Sequence, residues 1–283
     1  SRVVSTTQNG KAISRLFDGV GNRLQLNYPG GRTVAYEPDE LDRIKNIRSG
    51  ASPIASYKYV GAGRVKERSY ANGTNLAVAY DGVKRVVGYS NGAGVSQYEY
   101  AYDQMFNKLY EKRLHQNKRD DYGYDSLYRM VGYTKDGDLA GANPAKSLQY
   151  TLDGAGNRTQ AVENGMPTDY TVNALNQYTT INGSVQVHDN NGNLTGDGTR
   201  MLFYDFADRL VRVERASDVV EYKYDVFGRR IVKIINGVVA IRYYYEGDRV
   251  IEDRDDADVV SATYVYGNGI DEVLTMDRGG QTY

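Results

Sequence analysis

The chain of 283 residues has no cysteine and no tryptophan, two histidines, five prolines, and no run of about 20 apolar residues that could span a bilayer. Each absence removes a class of function. Without cysteine there are no disulfides, no thiolate metal sites and no cysteine nucleophile. An excess of charge is missing as well. With 35 basic against 36 acidic residues the net charge is −1, so no electrostatic footprint for nucleic acid or an anionic membrane is present. The scarcity of histidine, with no Gly-x-Ser-x-Gly elbow and no paired-His motif, leaves little for acid–base or metal chemistry.

What is abundant is tyrosine and glycine, at 27 and 31 residues. Tyrosine combines an apolar ring with a polar tip and suits a half-buried sheet face. The tyrosines follow a period. An aromatic residue followed by Asp, a tight segment, and then Arg or Lys with an aliphatic recurs as YDGVKRV (Tyr80 to Val86), YDQMFNKL (Tyr102 to Leu109), YDSLYRM (Tyr124 to Met130), YDFADRL (Tyr204 to Leu210) and YDVFGRRI (Tyr224 to Ile231). Weaker copies start at Phe17, Pro38, Tyr59, Leu152, Val172, His188 and Tyr245, with a partial one at Tyr266. Most steps are 20 to 22 residues; one of 28 follows Tyr124, and two of 16 flank His188. A fixed period in this range marks a repeat array, here about twelve repeats of roughly 21 residues over 1–283. Both ends fall within repeat-like sequence, so the chain is expected to be a segment of a longer protein.

Within each period the pattern is that of strands. Tyr57 and Tyr59, Tyr100 and Tyr102, Tyr122 and Tyr124, Tyr222 and Tyr224, Tyr243 and Tyr245, and Tyr264 and Tyr266 are two residues apart and share one strand face. Half a period beyond the anchor comes a second turn signal, at Gly30-Gly31, Asn72-Gly73, Asn91-Gly92, Asn164-Gly165, Asn182-Gly183 and Asn236-Gly237. These pairs predict type I′ hairpins, which need positive φ at both central residues. The predicted fold is all-β: one antiparallel meander of hairpins. A sheet that long curls rather than staying flat. Winding into a spiral shell pairs its edges and encloses a cavity.

The copies YDGVKRV, YDFADRL and YDVFGRRI, with FDGVGNRL (Phe17 to Leu24), LDGAGNRT (Leu152 to Thr159) and YVYGNGIDEVLTMDR (Tyr264 to Arg278), resemble the Tyr-Asp repeats of Rhs proteins. That family includes polymorphic toxins, the B and C components of insecticidal Tc toxins, and teneurins. The resemblance implies a β-sheet cocoon fragment whose partners are neighbouring repeats and an enclosed toxin or effector polypeptide. It also implies a secreted or bacterial cell-surface location. The resemblance covers the repeats and not the self-cleaving segment of such toxins, so autoproteolysis is not carried over. The alternative is a carbohydrate-binding repeat surface, since stacked tyrosines can serve as sugar platforms. Neither reading involves nucleic acid, a membrane span, a cofactor or a metal.

The residues expected to matter are therefore scaffold residues: Tyr59, Tyr80, Asp81, Arg85, Tyr102, Asp103, Tyr124, Asp125, Tyr204, Asp205, Arg209, Tyr224, Asp225, Arg229 and Tyr245. In each turn Asp is expected to accept backbone N–H groups while Arg packs its stem on a tyrosine ring. Catalytic residues are not expected, and the segment reads as no enzyme. His188 stands where other repeats place Tyr. The glycines of Gly19-Val20-Gly21 and Gly154-Ala155-Gly156 fall at the repeat turn, without the helix a phosphate loop needs. Asp253, Asp255, Asp256 and Asp258 could ligate Ca²⁺, but the stretch EDRDDAD (Glu252 to Asp258) reads first as a solvated hairpin tip. DGDLAGANPAK (Asp136 to Lys146), inside the 28-residue step, is the best candidate for an exposed loop.

Overall fold

A computed structural model describes residues 2–92 and 94–283. The fold is all-β, with 29 strands and a single 3₁₀ turn, Leu114–Gln116, among the described residues. The chain divides into two compact units, one formed by residues 1–73 together with 202–283, the other by residues 74–201.

In the second unit each strand from Asn75–Tyr80 to Ser184–Val185 pairs antiparallel with the next, the predicted meander. Few of its side chains are fully buried: Leu76, Asp120, Ala161 and Gln186. The ladder stops at Gln186. A new one begins with Val187–His188, paired with Leu194–Gly196. The single uninterrupted meander read from the sequence is thus broken once, where the period shortens to 16 and strands of two or three residues offer too few backbone bonds to continue it.

The first unit is built differently. Its early strands, among them Lys11–Phe17, Thr33–Pro38 and Ser52–Val60, share one core with its late strands, among them Arg249–Arg254 and Val260–Tyr266. Ile13, Leu26, Val34 and Ile47 meet Ile251 and Val265 there, all essentially inaccessible. Burial of both sets together removes from water the apolar face that either would expose alone.

The turns predicted as type I′ divide. Asn164-Gly165, Asn182-Gly183 and Asn236-Gly237 have positive φ at both residues, 50° and 82° in the last pair. Asn9-Gly10 joins them. At Gly30-Gly31, Asn72-Gly73 and Asn91-Gly92 only the second residue is left-handed, so these are not type I′ turns. Gly30 is required by crowding instead, since a Cβ there would lie 2.7 Å from a Glu252 carboxylate oxygen.

Candidate functional site

The recurring site is the anchor turn, built by hydrogen bonds that reach no more than four residues. At Asp81 the backbone N–H donates to the Arg85 carbonyl at 3.0 Å, and the Lys84 N–H returns to the Asp81 carbonyl at 3.0 Å. The Asp81 carboxylate accepts the N–H groups of Val83 (3.0 Å) and Arg85 (2.9 Å), while its other oxygen takes Arg85 Nε at 2.7 Å. The same set occurs at Asp125 with Arg129, Asp205 with Arg209 and Asp225 with Arg229. Asp103 substitutes Asn107 for arginine, its side-chain amide donating at 2.8 Å. The third residue after each Asp adopts positive φ: Lys84 at 75°, Phe106 at 70°, Tyr128 at 60°, Asp208 at 55° and Gly228 at 78°. Non-glycine residues hold this strained conformation because the aspartate over-determines the turn.

Six of the anchor tyrosines also sit at a β-bulge. Pairing register shifts between Lys58 and Tyr59, Ala79 and Tyr80, Ala101 and Tyr102, Gly123 and Tyr124, Lys223 and Tyr224, and Tyr244 and Tyr245. One extra residue on the following strand, such as Leu109 opposite Tyr102, re-aims the chain into the turn. Tyr204 likewise closes its strand, Met201–Tyr204, directly before Asp205.

The arginine reaches further than its own turn. Arg209 Nη1 donates to the Asp225 carbonyl of the next repeat at 3.2 Å, and its guanidinium carbon lies 5.0 Å from the centre of the Tyr224 ring. Tyr224 in turn donates its hydroxyl back to the Leu210 carbonyl at 2.6 Å. Arg85 does the same to Asp103 and Tyr102, and Tyr102 to Val86; Arg229 does it to Gly247 and Tyr245, and Tyr245 to Arg230. Tyr59 bonds the Ile44 carbonyl and lies beneath Arg43, the arginine of the weaker copy that starts at Pro38, PDELDR (Pro38 to Arg43). Tyr124 bonds the Lys108 carbonyl at 3.0 Å, but Arg129 finds no ring at the next anchor, where Leu152 replaces tyrosine; it bonds the Asp153 carbonyl alone. The expected packing of Arg on Tyr is therefore a cation–π contact between repeats as well as a turn contact.

These turns are strongly polarised. Hydrogen bonding from Arg209 holds the Asp205 carboxyl below the usual carboxylate range, and Asn107 does so for Asp103. Asp39, gripped by Arg43, falls to about 2.

The other candidates take different places. His115 lies in the 3₁₀ turn, its Nδ1 3.0 Å from the Gln97 backbone nitrogen, with Tyr98 edge-on to the ring at 5.3 Å. His188 occupies an anchor bulge, as those tyrosines do. The EDRDDAD stretch is no solvated tip throughout. Glu252, Asp253 and Arg254 are buried: Arg254 Nε donates to Glu252 at 2.7 Å, and Glu252 accepts the Gly30 N–H at 2.9 Å. Asp253 takes the Tyr264 hydroxyl at 2.7 Å, and burial pushes its carboxyl upward. Only the tip from Asp255 to Asp258 is a surface turn, and it is of the anchor-aspartate kind. Asp258 pairs with Lys11 at 2.8 Å. Among the described residues no group of three or more His, Asp or Glu side chains is arranged to hold a metal ion. The Asp136 to Lys146 stretch is partly strand, and the rest folds around Asp138, which accepts the Ala140 and Ala142 N–H groups.

What sequence reasoning missed lies in the first unit, where charged pairs join segments more than 200 residues apart. Arg15 and Arg23 both hold Glu246, and Arg68, almost wholly buried, holds Glu272. Tyr28 donates to the Tyr264 carbonyl at 2.8 Å.

Bulged Tyr-Asp turns, clasped repeat to repeat, define a tyrosine–aspartate repeat array. In its repeats the chain resembles the Rhs/YD-repeat family. In fold it is similar to the TcdB2–TccC3–TEV crystal structure, with a TM-score of 0.67 at 15% identity over 91% of this chain and 18% of that one. The Photorhabdus luminescens Tc holotoxin pore matches at 0.65 and 14%, over 91% of this chain and 17% of that one. In sequence it is similar to the tRNA3(Ser)-specific nuclease WapA of Bacillus spizizenii, 34% identical over 145 residues, 48% of this chain. The tRNA nuclease WapA of Bacillus subtilis strain 168 is 36% identical over 130 residues, 43% of this chain. The chain spans only 6% of the length of these two relatives. No family model matches it. No helix among the described residues is long and apolar enough to cross a membrane.

Proposed function

We propose that this segment is a non-catalytic wall: part of an Rhs-type shell that encloses a toxin or effector polypeptide in a secreted or cell-surface protein. The observation that carries the reading is the second unit. Its single-layer sheet from Asn75–Tyr80 to Ser184–Val185 leaves Tyr100, Tyr122, Tyr133, Tyr150 and Tyr170 only half-buried. Sheet faces of this kind, too apolar to stay bare over many strands, fit a covering polypeptide. The clasp suits a wall because it repeats without converging on one point. Similarity to proteins named as nucleases makes a nucleic-acid-cleaving domain one class of cargo. A carbohydrate surface is the weaker reading, since Arg43, Arg85, Arg209 and Arg229 already occupy ring faces a sugar would need.

Limited proteolysis of the full-length gene product tests the proposal. The cargo should resist digestion while the repeats are native and be cut once they are denatured. Equally rapid digestion in both states overturns enclosure.

A further inference from the structure

Among the described residues two aspartates are buried, Asp120 at 4% and Asp253 at 5% exposure. Each accepts a tyrosine hydroxyl on Oδ2, from Tyr133 at 2.9 Å and from Tyr264 at 2.7 Å. Beyond that they differ. Arg113 grips both oxygens of Asp120, at 2.9 and 2.8 Å, and the Asp136 N–H donates to it at 2.9 Å. Asp253 receives neither a guanidinium nor a backbone N–H, and its Oδ1 is closed to solvent and bonds nothing. The cation that acts on it, Arg278 on strand Val273–Arg278, is itself exposed and donates to the Tyr264 hydroxyl at 3.3 Å rather than to the carboxylate. Across the ladder Asp253 stands opposite Tyr243 on one side and Ala262 on the other. Tyr243 and Tyr266 also feel its charge, but burial holds both phenols above their usual 10, so neither carries a charge at neutral pH.

An ionised carboxylate in such a place lacks the donors that would replace its lost hydration, and a proton relieves it. We propose that Asp253 is a proton-binding latch: the first unit is firmest when this carboxyl is neutral and weaker when it is charged. Burial pushes the group upward. At Asp120 the same burial is more than offset by the Arg113 guanidinium, with the Asp136 and Tyr133 donors, and the carboxyl lies below its usual range. Folded Asp253 therefore holds a proton more tightly than the unfolded chain does. Its contribution to stability is complete below the unfolded value of 3.8 and is lost as pH rises through the folded one. The latch thus tightens as pH falls toward 3.8, a range in which the anchor aspartates Asp39, Asp103 and Asp205 still keep their charge. What it ties together are the strands Val238–Glu246, Arg249–Arg254 and Val260–Tyr266, whose Ile251 and Val265 share the core with the early strands.

Thermal unfolding of the whole chain between about pH 7 and about pH 4 tests the latch in wild type, Asp253→Asn and Asp120→Asn. Asparagine is neutral throughout. The melting temperature of Asp253→Asn minus that of wild type should therefore be larger at the upper pH than at the lower by about 2 °C or more, whatever fixed offset the amide introduces. For Asp120→Asn the same difference should be negative and nearly constant over this range. Should Asp253→Asn fail to fold, carboxyl carbon NMR of the wild type, assigned through the backbone, replaces it, and Asp253 should titrate with a midpoint above 3.8. A difference for Asp253→Asn that is flat with pH or runs the other way, an equal trend for Asp120→Asn, or a wild-type midpoint at or below 3.8 overturns the proposal.

Discussion

Arg209 belongs to two repeats at once: its Nε holds the Asp205 carboxylate at 2.8 Å while its Nη1 holds the Asp225 backbone carbonyl at 3.2 Å. Arg43, Arg85, Arg129 and Arg229 span their own turn and the next in the same way. A lysine ammonium is a point charge on a flexible stem and cannot span a carboxylate, a carbonyl and a ring face together.

Arg209→Lys should therefore keep the charge and lose the link. The melting temperature is expected to fall by about 2–4 °C, with Arg209→Leu falling further. Equal melting of wild type and lysine variant would mean the charge alone matters.

The tyrosines rank by burial rather than by repeat position. Tyr244, only 1% exposed, lies outside the anchor set and packs under Arg254, whereas the anchor Tyr224 is half-buried. Tyr244→Ala should cost about 3–5 kcal/mol, more than Tyr224→Ala. Tyr224→Phe, losing only its hydroxyl bond to Leu210, should cost about 1 kcal/mol. Urea midpoints of the three variants decide the order.

Two glycines outside helices provide a paired test. In Gly30→Ala the new methyl would meet Glu252 at 2.7 Å and Val260 at 2.9 Å, and Glu252 is pinned by Arg254. A loss of about 1–3 kcal/mol is expected. Gly154→Ala meets nothing within 4 Å and needs no positive φ, so its stability should stay within about 0.5 kcal/mol of wild type. Gly237→Val, at a φ of 82°, should destabilise through the backbone alone.

Acid should loosen the array through its turns. Asp39, Asp103 and Asp205 have folded-state pKa values below their ordinary ones. Groups depressed in this way bind fewer protons when folded, so their contribution is complete above the unfolded value and is lost as pH falls through the folded one. For Asp39 that window runs from the ordinary value of 3.8 down to about 2. Melting temperature measured from pH 6 downward should decline most steeply below about pH 4, and Asp39→Asn should flatten that decline.

Much of this architecture was legible because it is local. The anchor turn closes through bonds spanning four residues or fewer, so Asp81 with Arg85 and Asp225 with Arg229 could be read from spacing, as could the positive-φ pair at Asn236-Gly237. The bulge before such a turn was not legible. It is a property of register between two strands, and Leu109 looks like any strand residue until Tyr102 is seen opposite Lys108. The EDRDDAD cluster misled for a related reason: charge predicts solvent only when no partner arrives, and Gly30 and Tyr264 arrive.

The sequence by itself determined the all-β class, the period and the chemistry of each turn, since a repeated local bond set needs only neighbouring residues to form it. Tertiary structure alone decided that Arg15 and Arg23 meet Glu246, that Arg68 meets Glu272, and that Ile13 and Val265 share a core. Those contacts join residues some 200 positions apart, and no period specifies which distant repeats come to face each other. Only packing, which buries both apolar faces together, selects the partners.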